Sequence, residues 1–529
     1  MSYHLITIPD YEDSRIQHAF TRKTLQYVCG EQYDKNMFFA ADELAPVSVC
    51  EAFQICVERI KLAAKRQEKV VIYGDYDVDG ICSTTILHGL LARLGLAPGY
   101  YIPNRIVDGY GLNTLKVEQF HEKGYQLIVC VDNGVVAHEA LAKAASLGIE
   151  VVIIDHHEMD EKTRDYPFVL HPSLMEAPFH YLCGAGLAFE FSRAFGSWDD
   201  FLALAALGTI ADMMLLVGEN RCLVRQGLKL LNAAGYLPLK KFAKDGIIDE
   251  FTLGMQIAPK LNTLGRLPDL ANTNQIVKYF TLQDEAMMDQ VVKQVEALND
   301  RRKDMSKAMV EQAKAMVNAE DAFCILVSDA FHEGLVGIVA NQILSLYQKP
   351  VMVCQLKDGI CKGSIRSKDG LDLVAMMRSC PHLIKFGGHQ KAGGITFAHE
   401  HLPIIHQYIQ NYMKDAAYEQ QWKTALQLEL SEFTLEAALE LQALRPLLSL
   451  QTEPSYWISG AQLQSPTLLS NGLHWKWQLT PSVSMLYFSA NPSYRDQIPN
   501  LQFLVRASIN EFKGRKSLSL QVQDVFLSQ

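Results

Sequence analysis

The chain has 529 residues, of which 49% are apolar and 20% charged, and 49 basic against 59 acidic side chains leave a formal net charge of −10. The length predicts three or four domains rather than one core, the composition is that of a soluble globular protein, and no apolar run is long enough to cross a bilayer. The negative balance excludes global attraction to a polyanion, so any nucleic acid must be held by a local basic patch.

Residues 1–45 read as a polar, irregular N-terminal arm, and the opening MSYHLITIPDYEDSR, with neither a basic nor a continuous apolar leader segment, predicts a cytoplasmic protein. From 46 to 282 the β-branched runs VVIYG, LIVCV and VVIID alternate with helical patterns at 83–95 and 137–147, which predicts an α/β domain on a parallel sheet. Residues 283–318 contain neither Gly nor Pro and repeat apolar side chains at helical spacing, so a connecting helix about 50 Å long is expected. A second α/β domain spans 319–400, where FCILVS and PVMVCQ flank a helix near 335–347 before the glycine-rich FGGHQKAGGITF. A helical linker at 401–424 leads to 425–529, whose alternating LHWKWQL, LQFLVRASI and SLSLQVQDV predict a small β-barrel. Eleven cysteines, Cys29 to Cys380, show no CxxC pair or finger spacing and predict free buried thiols.

In VVIYGDYDVDG an apolar strand runs into Asp75, Asp77 and Asp79 before a helix. Carboxylates crowded at the carboxyl end of a parallel strand are unfavourable unless a cation neutralises them, although a solvated acidic turn would also accommodate them. If the segment stays extended, the three alternate residues face one side. The pattern recurs: LIVCVDNG sets Asp132 at the end of a second strand, and VVIIDHHE sets Asp155, His156 and His157 at the end of a third. Asp212 follows the apolar run LALAALGTIA, where a helix boundary with an N-terminal Asp is the structural alternative. Oxygen ligands with imidazole and no thiolate suit Mn²⁺ or Mg²⁺, and two such ions suit phosphodiester hydrolysis. We favour His156 as a direct ligand and His157 as an orienting or acid/base group, with Asp155 positioning a histidine.

The order DYDVDG, VDNG, DHHE, ADMMLL resembles the four motifs of the DHH phosphoesterase superfamily, DHH itself being residues 155–157. The resemblance narrows to the RecJ family through PNRIVDGYGL, CGAGLAFEF, GENRCLVRQGL, IAPKLNTLGRL, LNDRRK, FHEGLVGIVA, KGSIRS and FGGHQKAGG, which cover most of residues 70–400. It implies a DHH catalytic domain, a connecting helix, a DHH-associated domain closing over substrate, and a C-terminal OB-like β-barrel. It also implies that Asp77, Asp79, Asp132, His156 and Asp212, with Asp75, hold two divalent cations, Mn²⁺ or Mg²⁺. Asp132 would be the bridge, and His157 would share the site.

The same resemblance points to phosphate binding by Ser364 and Arg366 of KGSIRS, with Arg105 and Arg266 completing a basic cleft. His389 would bind or protonate the scissile phosphate, although the glycines around it could merely form a tight turn. Ile365 and Gly393 depart from the family pattern without removing a chemical group, and RPLLSLQTEPSYW only weakly echoes the stretch expected before the barrel. Trp475 and Trp477 share one strand face: core packing is the preferred reading, and a base-stacking platform aided by Lys513, Arg515 and Lys516 is the alternative.

The family resemblance implies a single-strand-specific 5′→3′ DNA exonuclease releasing 5′-mononucleotides in repair and recombination. It would act as a monomer on single-stranded DNA delivered by a helicase and a single-strand-binding protein. The alternatives are an oligonucleotide or cyclic-dinucleotide phosphodiesterase with the same two domains, and a metal-free scaffold in a replication assembly. Activity on long single strands separates the first, and metal binding without hydrolysis the second.

Overall fold

The strands Val70–Tyr73, Leu127–Val131, Glu150–Ile154 and Val169–Leu170 lie in that order in a five-stranded sheet, with Gly99–Tyr101 on the outer side of the first. Every pairing is parallel. The runs are apolar without alternation because both faces of a parallel sheet are covered by helices, and Leu127–Val131 is buried throughout. On one side, helix Val78–Arg93 packs against Gly184–Arg193 and Asp199–Ala211. This computed structural model describes residues 3–11, 13–30, 38–39, 43–196, 198–233, 235–243, 246–318, 320–368, 370–415, 423–448 and 454–527. The weakly matching RPLLSLQTEPSYW and the end of the helical linker thus fall partly, at 449–453 and 416–422, outside the described residues.

The connecting helix is Glu285–Met316, 32 residues long, opened by Asp284, whose carboxylate accepts from the backbone N–H of Met287. Met288, Val292, Val295, Asn299, Met309, Val310 and Ala313 form its buried stripe. Beyond it a mixed five-stranded sheet runs in the order Leu383–His389, Ala392–Ala398, Ile360–Arg366, Val351–Lys357, Cys324–Ser328. Only the last pair is parallel. Helix Val336–Tyr347 packs against this sheet and against the connecting helix. These elements belong to one compact unit, Leu44–Met214 with Leu223–Gln421.

The second unit combines Met1–Glu43, Leu215–Cys222 and Trp422–Gln529. Its eight-stranded sheet runs Tyr3–Ile6, Lys423–Gln427, Tyr456–Ser459, Leu501–Phe512, Arg515–Leu527, Val483–Tyr487, His474–Thr480, Thr467–Leu469. The N-terminal segment is therefore not an arm. Tyr3–Ile6 pairs in parallel with Lys423–Leu426, Tyr3 opposite Lys423 and Ile6 opposite Leu426, and helix Ala19–Cys29 packs on helix Leu435–Ala443. Phe20 sits between the rings of Phe433 and Tyr456, at 5.5 and 5.2 Å. Residues 215–222, expected with the catalytic domain, are joined to this unit by Leu216 N–H donating to Leu448 O at 2.8 Å and Arg221 Nη2 to Leu444 O at 2.6 Å.

The base-stacking alternative for Trp475 and Trp477 is overturned. The indoles are 1% and 3% exposed, packed edge to face at 5.9 Å and against Tyr487 and Phe503. Trp477 Nε1 donates to Gln464 O at 2.7 Å, which satisfies its one polar atom inside the core. Lys513, Arg515 and Lys516 are exposed at the tip of the Leu501–Phe512/Arg515–Leu527 hairpin.

Candidate metal centre and phosphate cleft

The Val70–Tyr73 strand ends before the first carboxylate, so Asp75, Asp77 and Asp79 do not alternate along an extended chain. Asp77 is the N-cap of helix Val78–Arg93, accepting from Gly80 N–H at 3.0 Å, and Asp79 lies in its first turn. The three converge because the chain turns there: Asp75 and Asp77 each offer an oxygen beside Asp132, within 4.8 Å of one another. Asp132 closes the next strand in a left-handed conformation, φ 60°, with its N–H bonded to Ile154 O at 2.9 Å. A Cβ on Gly184 would lie 2.7 Å from Asp132 Cβ, so only glycine lets helix Gly184–Arg193 start this close.

That helix start fixes Asp79. Gly184 N–H donates to Asp79 Oδ2 at 2.7 Å, while Ala185 N–H and the Cys183 thiol donate to Oδ1 at 2.8 and 2.9 Å. His156 Nε2 stands 3.2 Å from Asp132 Oδ1, 3.6 Å from Asp212 Oδ2 and 3.8 Å from Asp79 Oδ2. His157 instead gives its Nδ1 to Asp155 Oδ1 at 2.8 Å. Asp155 also accepts the backbone N–H groups of Val135, His156 and His157, so its carboxylate is spent on positioning the turn and the His157 ring. Asp212 caps the C-terminal end of helix Asp199–Ala211, where a carboxylate opposes the helix dipole. The helix-start explanation for Asp212 therefore fails, and its place beside Asp79 and His156 accounts for it.

The electrostatics are those of a site built for cations. Burial, then the Asp77 charge, pushes the Asp75 carboxyl well above its usual range. Burial and Asp79 push Asp132 well above its range as well, and they raise Asp77. Burial with Asp79 and Asp77 pushes Asp212 to about 8. Asp75 Oδ1 and Asp132 Oδ1 are buried without a hydrogen-bond donor, an arrangement that a metal ion would repair. Burial disfavours charge on His157, yet the Asp155 hydrogen bond and charge push it to about 9, whereas burial lowers His156. The sets Asp75–Asp77–Asp132, Asp79–His156–Asp212 and Asp132–His156–His157 each offer ligand atoms within 4.8 Å. Asp132 and His156 each recur in two of them, so the donors suit two neighbouring hard divalent cations.

Beside the carboxylates lie arginines that form no ion pair among the described residues. Arg105 sits 5.1 Å above the Tyr76 ring, between Asp75 and Asp77 in sequence. Arg266 ends helix Ala258–Arg266, and burial followed by the charges of Arg105, Arg302 and Arg366 lowers it to about 10. From the second sheet, Arg366 donates through Nη1 to Ser364 Oγ at 2.5 Å and through Nε to Asn341 Oδ1 at 3.0 Å. The two domains meet here: His332 Nε2 is 3.2 Å from Asp269 Oδ1, and a Cβ on Gly334 would lie 1.8 Å from Arg266 O. His389 is different. It stands exposed at the end of Leu383–His389 opposite Ala392, its side chain without a hydrogen bond or ion pair among the described residues, and no contact among them links it to the carboxylates.

Three family descriptions match in chain order: DHH family, N-terminal domain, at residues 69–215; DHHA1 domain at 320–415; and RecJ OB domain at 424–524. The single-stranded-DNA-specific exonuclease RecJ of Haemophilus influenzae is 30% identical, over 96% of this chain and 94% of that one. The chain belongs to the RecJ family. The RecJ of Bacillus subtilis is 31% identical over 89% of this chain, which spans 63% of that relative's length. A crystal structure of Thermus thermophilus RecJ with Mn²⁺ shares the fold at a TM-score of 0.83 and 24% identity, covering 100% of this chain and 80% of that one. A manganese-bound structure of exonuclease RecJ, 28% identical, covers 71% of this chain and 97% of its own at a TM-score of 0.62.

Within this RecJ-family chain, sequence reasoning passed over Cys183, Gly184 and Ala185, which hold Asp79, although CGAGLAFEF contained them. It also passed over Tyr110, whose ring meets His157 at 5.5 Å, and Asn262, whose Oδ1 accepts from Val78 N–H at 3.1 Å. Two glycines in CGAGL were the available signal, since glycine paired with a small residue at a helix start marks close approach.

Proposed function

We propose that the protein is a single-strand-specific DNA exonuclease that hydrolyses phosphodiester bonds from the 5′ end with two divalent cations, Mn²⁺ or Mg²⁺, releasing 5′-mononucleotides. One juxtaposition carries this reading: three overlapping ligand sets, linked through Asp132 and His156, lie in one compact unit with Arg105, Arg266 and Arg366, which form no ion pair among the described residues. The relatives are named for action on single-stranded DNA. Polarity rests on family membership.

Asp75, Asp77, Asp79, Asp132, His156 and Asp212 would hold the cations, with Asp132 facing both. When bound, the ions would activate water and stabilise charge on the phosphorane-like transition state and the leaving oxygen. Arg105, Arg266, Ser364 and Arg366 would grip the phosphate so that it meets the carboxylate site in a fixed orientation. His157, held by Asp155 and charged at neutral pH, would donate a hydrogen bond toward the reacting phosphate. His389, exposed at the end of Leu383–His389, would bind or protonate the scissile phosphate. Lys513, Arg515 and Lys516, exposed on the eight-stranded unit, would add contacts to DNA.

A duplex is about 20 Å across, and a cleft that brings Arg366 near a phosphate at the carboxylates should admit one strand only. The deciding experiment incubates the protein and Mn²⁺ with end-labelled single strands, blunt duplex, and duplex bearing a 5′ tail. Mononucleotides should come from the single strand and from the tail, slowing where pairing begins; equal rates on blunt duplex would remove the single-strand reading. Cleavage confined to dinucleotides or cyclic dinucleotides would favour the small-substrate alternative. Among the described residues no helix is long and apolar enough to cross a membrane. A cytoplasmic monomer working with a helicase and a single-strand-binding protein in repair and recombination completes the proposal.

A further inference from the structure

His171 belongs to none of the motifs above, yet its ring meets the turn that carries His156 and His157. It follows Val169–Leu170, an edge strand of the parallel sheet, whose Leu170 O accepts from Asp155 N–H at 3.1 Å. Pro172 then opens one tight helical turn, Pro172–Leu174, and His171 is buried at its start. Ser173 N–H donates to His171 Nδ1 at 3.1 Å, with the Ser173 hydroxyl 2.8 Å from the same nitrogen. His171 Nε2 stands 2.9 Å from the carbonyl oxygen of His157.

The tautomer follows from both ends of the ring. A nitrogen that accepts a backbone N–H carries no hydrogen of its own, and a carbonyl oxygen can only accept. The ring is therefore neutral, with its hydrogen on Nε2 and given to His157 O. Among the described residues no other group donates to that carbonyl. A residue needed only to cap the turn would require one acceptor, which serine or aspartate supplies. The second nitrogen of His171 instead reaches a residue 14 positions earlier. His157 is thereby held on both sides: its N–H and Nδ1 go to Asp155 Oδ1 at 3.2 and 2.8 Å, and its carbonyl to His171. His156 sits between those anchors, with Nε2 at 3.2 Å from Asp132 Oδ1.

We propose that His171 is a positioning residue for the hydrolysis: as a neutral Nε2–H imidazole it holds the His157 carbonyl and so fixes the turn that presents His156 to the carboxylates and His157 to the phosphate. This rests on the exonuclease reading above and adds to it a residue that touches neither strand nor cation. The edge strand Val169–Leu170 thus serves the centre through the ring that follows it.

The test compares two variants of the full chain. His171→Ser keeps an acceptor for the turn but is too short to reach His157, whereas His171→Gln places an amide donor at about the reach of Nε2. His171→Ser should lower kcat on single strands about tenfold with KM little changed, and should weaken Mn²⁺ binding by calorimetric titration. Its metal-free melting temperature should stay near wild type, and His171→Gln should recover most of both losses. In NMR spectra of the chain with isotopically labelled histidine, the ring signals missing from His171→Ser should be those of a neutral Nε2–H imidazole. Unchanged kcat and Mn²⁺ affinity in His171→Ser would overturn the inference. So would equal losses in both variants that track a lowered melting temperature, because that pattern marks a prop for the fold. Missing signals that belong to an Nδ1–H or doubly protonated ring would overturn it as well. If wild type degrades no single strands, the function proposed above fails, while the Mn²⁺ titration and the ring signals still decide the role of His171.

Discussion

The thiol of Cys183 donates to Asp79 Oδ1 at 2.9 Å, which, with the N–H groups of Gly184 and Ala185, leaves the Asp79 carboxylate almost fully bonded to the protein. Its orientation toward His156 is thus set before any cation arrives. Groups that orient a metal ligand commonly contribute tenfold or more to metal affinity. Cys183→Ala should therefore weaken Mn²⁺ binding about tenfold by calorimetric titration without changing the melting temperature of the metal-free protein greatly, and Cys183→Ser should recover part of it. Unaltered Mn²⁺ binding in Cys183→Ala would show that the two backbone donors suffice.

Asp132 lies in two of the three ligand sets, and one of its oxygens is buried without a donor. Asp132→Ala should reduce hydrolysis below about a tenth of wild type at saturating Mn²⁺, since loss of a shared ligand disturbs both ions. Its metal-free form should melt at a higher temperature than wild type, because one of several mutually repelling carboxylates has gone. A lower melting temperature in Asp132→Ala would argue that this carboxylate supports the fold.

Arg366 holds Ser364 Oγ and Asn341 Oδ1 and, among the described residues, no carboxylate. Arg366→Ala is expected to raise KM for single strands and flatten the salt dependence of binding by about 0.7 in slope. Its Mn²⁺ titration should match wild type, and lost metal binding would reassign the residue.

The pH dependence of the metal-free protein follows from Asp212 and His157, raised to about 8 and about 9. Each binds its proton more tightly in the folded chain than in the unfolded one, so the associated stability is complete below the unfolded pKa and is lost as pH rises through the folded value. Between pH 6.5 and 8.5, in the range set by those shifts, the melting temperature in EDTA should fall. Adding Mn²⁺ should reverse the fall and release protons, which calorimetry in buffers of different ionisation enthalpy reads directly. A flat melting profile across this range would contradict the assigned shifts.

Trp475 packs against Trp477 and Tyr487 at 5.9 and 5.8 Å within the eight-stranded unit. Trp475→Ala should cost about 3–5 kcal/mol in denaturant unfolding of that unit. Where the variant remains folded, its affinity for single strands should be near wild type; a selective loss of binding with full stability would restore the stacking role.

What could be read from sequence was whatever depends on a short stretch of chain. Asp75, Asp132 and Asp155 each follow an uninterrupted apolar run, and strand ends of a parallel sheet converge on one edge, so neighbouring motifs had to meet. The finer geometry escaped because it depends on turns: Asp77 caps a helix instead of continuing a strand, and that cap brings Asp79 round to His156. The indoles of Trp475 and Trp477 share a face, as alternation requires, but alternation does not say which face is covered. Nothing near Tyr3–Ile6 signals a strand at all, since its partner is remote.

That pairing sets an order of events during synthesis. Residue 6 is made 417 residues before residue 423 (423 − 6), where its partner strand begins. At about 5–20 residues per second the interval is on the order of 20–80 s. Through it Phe20, Leu25 and Cys29, buried in the finished protein, must stay clear of non-native partners, because Phe433 and Tyr456 do not yet exist. The parallel-sheet unit that carries the carboxylates has its strands complete by Leu170, so its catalytic edge can take shape while the earliest residues are still waiting. The residues around Tyr3–Ile6 therefore emerge long before the strand that gives them their place.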